Sequence, residues 1–284
     1  MKKDFEKHIT NNRLIVGLSA VFIGGVLGLY LFSYFLVVSP ADREGLFNFG
    51  EVTHEKIEHP KKMAWSFDGL FGTFDKASAQ RGYQVYKEVC SSCHSMDKIA
   101  FRNLQELGFS EAEVKVLASA YDYDFINDDG EVESRPGLPS DKLKNPYPNK
   151  NAAAAANNGK APPDLSLMVK ARHDGANYVH SLLTGYKDAP AGFELSAGSN
   201  YNPYFAGMQI AMAAPLNDGQ VSYEDGTEST VEQMSHDVVN FLQWTAEPEM
   251  EQRKRMGIKA IAYLAFLTIF FYIAKVRIWS RVKK

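Results

Sequence analysis

Cysteine is almost missing from this chain: among 284 residues only Cys90 and Cys93 carry a thiol. Two thiols three positions apart close too short a loop to staple a fold, so a disulfide-built secreted scaffold is excluded. No further cysteine exists to complete a zinc site of the usual paired spacing. A glycine-rich phosphate-binding loop and an internal repeat are also missing. So is any basic excess in the body of the chain. The formal net charge is −3, and over residues 42–248 acidic residues outnumber basic ones by 12. An acidic body excludes nucleic acid as the natural partner and suits a cationic one. The remaining composition, 45% hydrophobic and 23% charged, is that of a folded protein rather than a disordered one.

What is present begins with two apolar runs. Leu14 to Val38 is uncharged over 25 residues; as a helix it would extend about 37 Å, enough to cross a hydrocarbon core roughly 30 Å thick. Ser39-Pro40-Ala41 leaves a cleaved signal peptide as the alternative, although such peptides have apolar regions of only about 7–15 residues. The second run covers about Met256 to Val276, interrupted by Lys259 and Lys275 near its ends, where long side chains reach the headgroups. Arg253, Lys254 and Arg255 before it, and Arg277, Arg281, Lys283 and Lys284 after it, mark it as a transmembrane anchor.

The two cysteines belong to Cys90-Ser91-Ser92-Cys93-His94, a C-x-x-C-H motif for covalent haem c attachment. Thiols three positions apart on one helical turn reach both vinyl edges of a porphyrin, and His94 is delivered to the iron as proximal ligand. A thioredoxin-like pair would need a surrounding strand–helix pattern, which is absent. Met96 lies too close to His94 to serve the opposite face, and Met168 and Met234 sit in amphipathic stretches that suit a core. The punctuated loop from Asn202 to Pro215 carries two methionines, and from the residues alone Met208 and Met212 stay equally open as sixth ligand. The basic ends place both termini in the cytoplasm; Arg253 to Arg255 oppose that bias. The haem motif decides for it, because attachment takes place outside the cytoplasm. The expectation is a bacterial inner membrane with the haem domain in the periplasm.

At these residues the chain resembles the cytochrome c1 family, of bacterial type: the haem subunits of the ubiquinol–cytochrome c oxidoreductase, or cytochrome bc complex. The resemblance runs from about residue 65 to the C-terminus. It rests on Trp65-Ser66-Phe67-Asp68-Gly69, the haem motif, Arg135-Pro136-Gly137, Asn145-Pro146-Tyr147-Pro148-Asn149, Pro162-Pro163-Asp164-Leu165-Ser166, Ala171-Arg172-His173, Ser181 to Tyr186, and Asn202-Pro203-Tyr204-Phe205. The resemblance implies that Met212 is the axial ligand, that Arg172 pairs with a haem propionate, and that Asn157, Pro163 and Tyr178 line the haem edge. It further implies one electron accepted from the Rieske iron–sulfur protein and passed to a soluble or tethered cytochrome c, beside cytochrome b in a dimeric complex, with no quinone chemistry on this chain. The rivals are a free-standing tethered cytochrome shuttle and a haem sensor with a displaceable sixth ligand.

The expected fold is mainly α: a cytochrome c-like helical haem domain with long loops, plus transmembrane helices at both ends. The boundaries are 1–40 for the first span, 41–249 for the haem domain and 250–284 for the anchor. Helices are expected around 79–92, 110–120, 174–184 and 230–245, with long loops over 121–170 and 186–228 and a helical turn at Ala152 to Ala156. Asp122, Asp124, Asp128, Asp129, Glu131 and Glu133 form one acidic cluster, and Glu224, Asp225 and Glu228 a second. Either would attract a basic cytochrome c.

Overall fold

A computed structural model of the chain describes residues 57–282. The apolar run Leu14 to Val38 lies outside the described residues. The described part is mainly helical: α1 Lys76–Glu88, α2 Glu111–Ser119, α3 Lys150–Ala156, α4 Gly175–Thr184, α5 Val231–Ala246 and α6 Met250–Val282, with short 3₁₀ turns at Cys90–Ser92, Phe101–Leu107 and Ala206–Met208. The helices begin where polar side chains can satisfy orphan amides. Asp75 accepts from the Ser78 amide at 3.1 Å, Asn149 from Ala152 at 2.9 Å, and Thr230 from Gln233 at 3.2 Å. Ser110 and Glu113 form a reciprocal capping box at α2.

The core is centred on the crossing of α1 and α5. Gly82 makes that crossing possible, because a Cβ there would collide with the Asp237 carbonyl. Around it Phe241 packs against Tyr83, Tyr86 and Trp244 with ring centroids 5.6, 5.8 and 5.8 Å apart, distances at which aromatic pairs attract. Asp237 is buried beside this contact. It accepts from Ser78 Oγ at 2.7 Å and from Arg81 Nε at 2.9 Å, and Arg81 also reaches Asp225 at 2.8 Å. Asp225 is therefore tied into the scaffold, which leaves the second acidic cluster partly structural.

The four expected helices are present within a few residues, and the Ala152 to Ala156 turn is the end of α3. The expected loops are less irregular than their composition implied. Strands β1 Asp122–Ile126 and β2 Val132–Pro136 pair antiparallel, with Asp122 opposite Pro136 and Ile126 opposite Val132; β3 Asn200–Tyr201 pairs with β4 Gln209–Ile210. Asp129-Gly130 closes the first hairpin with Gly130 at φ +83°, a conformation that favours glycine. All six acidic residues of the first cluster are exposed on this hairpin.

The last helix has a different character. α6 is 33 residues long, is long and apolar enough to cross a membrane, and its apolar window buries nothing within the described residues.

Candidate functional site

The site starts at the end of α1. The chain leaves the helix at Val89 and continues as a 3₁₀ turn over Cys90–Ser92, in which the Cys93 and His94 amides donate to the Cys90 carbonyl at 3.2 and 2.9 Å. Both thiols and the imidazole thus sit on one tight turn fixed to a core helix. Burial and the neighbouring Cys93 push the Cys90 thiol up to about 12.

The His94 ring is held from the far side of the site. Its Nδ1 lies 2.8 Å from the Pro163 carbonyl oxygen. A carbonyl can only accept, so Nδ1 carries the hydrogen and Nε2 keeps a free lone pair. Burial lowers the His94 pKa, against the opposing influence of the Pro163 carbonyl and Asp164; the ring is neutral at physiological pH. A neutral imidazole with one nitrogen anchored and the other free is the state a metal requires.

The segment supplying that carbonyl is zipped to the residues after His94. The Asp164 carboxylate accepts from Ser95 Oγ at 3.0 Å and from the Asp97 amide at 2.7 Å. The Leu165 amide donates to the Ser95 carbonyl at 2.9 Å, and the Lys98 amide to Ser166 Oγ at 3.0 Å. A cavity of about 530 Å³ opens beside this seam, lined among others by Cys93, Tyr147, Pro162, Pro163 and Asp164. Asn157, which ends α3, donates through Nδ2 to the Ala153 carbonyl at 2.7 Å and to Tyr147 Oη at 3.2 Å, so it braces one wall of the cavity.

The other predicted residues form a second group. Met212 lies half-buried in a bend after β4. Its carbonyl accepts from Tyr186 Oη at 3.1 Å and Asn200 Nδ2 at 3.3 Å. Met208 is buried in the core, with φ +56° and its carbonyl taken by the Asn202 amide at 2.9 Å. Of the two methionines in the loop, Met212 is the one whose side chain is not consumed by packing. Met96 and Met234 are fully buried core residues, and Met168 packs against the core. Arg172 is exposed and donates to the Ala171 carbonyl at 3.1 Å. Burial raises the Tyr178 phenol above its ordinary value while the adjacent Arg172 guanidinium opposes the rise. Burial raises Tyr186 as well, with Tyr178 as the second cause. Arg172, Tyr178, Tyr186 and Met212 are therefore neighbours in succession.

Cys90, Cys93, His94 and Pro163 are joined directly, Asn157 braces the same cavity, and Arg172 meets Tyr178. The residues sequence reasoning missed are the positioning ones: Tyr186, Asn200 and Asp164. Tyr186 and Asn200 act on a backbone carbonyl, which leaves no complementary side chain to signal them. The donor set fits a haem c: two thiols on one turn, an imidazole with its Nε2 free, a thioether outside the core, and a roomy cavity beside Cys93.

Comparison with known proteins agrees with this geometry. The model of the cytochrome C1 family matches residues 65–282. A mitochondrial "cytochrome c1, heme protein" of Saccharomyces cerevisiae is 51% identical over 227 residues, covering 79% of this chain and 74% of the relative. A "cytochrome b-c1 complex catalytic subunit, mitochondrial" of Candida albicans is 50% identical over 227 residues, covering 79% of each. A mitochondrial "cytochrome c1 2, heme protein" of Arabidopsis thaliana is 48% identical over 244 residues, covering 84% of this chain and 80% of the relative. These relatives are mitochondrial, in fungi and in a plant, and they overturn the expectation of a bacterial type in a bacterial inner membrane with a periplasmic haem domain. The charge bias behind that expectation orients a chain across a membrane but does not tell one membrane from another.

Proposed function

The chain belongs to the cytochrome c1 family, and on that premise we propose a role for each residue of the site. The protein is the haem subunit of the cytochrome b-c1 complex: it carries one covalently bound haem c, works beside cytochrome b and the Rieske iron–sulfur protein, and passes electrons to cytochrome c. Cys90 and Cys93 would hold the haem through thioether links, and His94 and Met212 would bind its iron. Arg172 would pair with a propionate, and Asn157, Pro163 and Tyr178 would line the haem edge. When bound, the haem would supply a one-electron iron couple, and with two protein groups on the iron the site would suit electron transfer rather than substrate activation.

The remaining work belongs to the protein. The Pro163 carbonyl holds the His94 imidazole in a single tautomer and orientation. Tyr186 and Asn200 pin the backbone from which the Met212 thioether extends. A ligand pair held rigid in this way reorganises little when the charge on the metal changes, and a thioether favours the reduced state. The exposed acidic hairpin β1–β2 steers a basic cytochrome c toward the domain.

Residues 41–249 are assigned to the haem domain and 250–284 to the anchor, with α6 crossing the membrane. With relatives that are mitochondrial, the protein works in the mitochondrial inner membrane, within a dimeric complex.

The observation that carries the ligand assignment is the contrast between half-buried Met212 and core-bound Met208. Met212→Leu should abolish the near-infrared band of the oxidised protein and lower its midpoint potential, whereas Met208→Leu, a volume-conserving change, should keep the band. A band that survives in Met212→Leu removes the assignment. Raising ionic strength should slow reduction of cytochrome c; a rate indifferent to salt would deny the hairpin its docking role.

A further inference from the structure

Phe71 is the most exposed large apolar side chain among the described residues, at 81%, and Leu70 beside it is 56% exposed. They form the tip of a short closed loop. The Thr73 amide donates to the Ser66 carbonyl at 3.0 Å and the Asp68 amide to the Trp65 carbonyl at 3.1 Å. Gly72 passes so close to the Phe67 and Asp68 backbone that a Cβ there would collide with it. The stem is anchored in the core, with Phe67 stacked on Trp65 at 5.4 Å and Phe74 6.0 Å from Phe67. Two apolar side chains are thus held out on a rigid stem.

That stem is fastened to the first turns of α6. Lys254 Nζ donates to the Phe67 and Gly72 carbonyls at 2.6 and 3.1 Å, and the Phe74 amide donates to Glu251 Oε1 at 2.9 Å. The exposed apolar surface of α6 starts at Met256, two residues past Lys254, which is about 3 Å along a helix axis. The stem therefore stands at the level where α6 turns apolar. Its three-residue tip reaches at most about 10 Å, the depth over which apolar side chains settle at the boundary of headgroups and acyl chains.

We propose that Leu70 and Phe71 seat in the lipid interface beside α6, giving the haem domain a second membrane contact that sets its tilt on the bilayer. The inference rests on α6 crossing the membrane, and the test separates the two. A nitroxide is attached at Phe71→Cys in the full haem-bearing chain, which is reconstituted in phosphatidylcholine vesicles with its haem oxidised, and each relaxation is taken as the increase over the same sample under nitrogen. Both native thiols are taken up by the haem, so the label has one site. Matched labels at Phe266→Cys on α6 and Val116→Cys on exposed α2 serve as references. The expected result is that relaxation by oxygen exceeds relaxation by a water-soluble nickel chelate severalfold more at position 71 than at position 116. Equal ratios at the two positions overturn the proposal, and so does a label shielded from both agents, which would mean protein covers the tip. If nickel relaxes the label at position 266, the membrane reading of α6 fails instead.

Discussion

The α1–α5 crossing and the turn-and-loop region around His94 and Met212 are stabilised in different ways. At the crossing, a buried aromatic cluster encloses Asp237, which is bonded by Ser78, Arg81 and Gln233. Around His94 and Met212, hydrogen bonds between loop segments hold the site, among them those to the Pro163 and Met212 carbonyls from His94, Tyr186 and Asn200. The crossing is held by many mutually buried interactions. The loops around His94 and Met212 are held by fewer contacts, most of them hydrogen bonds between exposed or half-buried segments. Stability and function are thereby divided between regions, and each can be altered with limited effect on the other.

The largest expected effect tests the scaffold. Asp237→Ala leaves Arg81 without its buried partner and should cost about 3–5 kcal/mol in urea unfolding of the holoprotein. Acid should expose the same group. Burial opposes ionisation of Asp237, but the nearby His236 imidazole and hydrogen bonds from Arg81, Ser78 and Gln233 outweigh it and hold the carboxyl at about 2. Because the folded value lies below the unfolded one, its contribution is complete above about pH 4 and is lost as the pH falls toward 2, roughly 2 kcal/mol in all. Melting temperatures across that range should fall in the parent and stay flatter in Asp237→Ala; parallel curves would mean Asp237 is not the scaffold's titrating group. The smaller effect tests the site. Tyr186→Phe removes one hydrogen bond to the Met212 carbonyl, worth about 1 kcal/mol. The near-infrared band should then vanish at lower urea than the helical circular dichroism signal. If both signals shift together, the ligand loop and the scaffold unfold as one unit and the division drawn above fails.

The same division explains what could be read from sequence. Helices α1, α2, α4 and α5 were legible because apolar residues recur at helical spacing, as Met234, Val238, Phe241 and Leu242 do in α5. The haem motif was legible because attachment demands a fixed spacing. The hairpin β1–β2 was not, since its strands are mostly exposed and carry acidic residues where a half-buried strand would alternate. Met208 and Met212 were inseparable by residue type and loop composition; only burial distinguishes them. Tyr186, 26 residues from the carbonyl it meets, looked like an ordinary aromatic at a helix end.

The bond from His94 to Pro163 has a consequence for inheritance. Its acceptor belongs to the main chain, so no exchange of the side chain at position 163 can delete it. Drift there can tilt the carbonyl by freeing the ring-locked backbone angle, and so retune the electron density of the imidazole by degrees. This adjustment can be graded over generations without passing through an intermediate whose imidazole has lost its anchor.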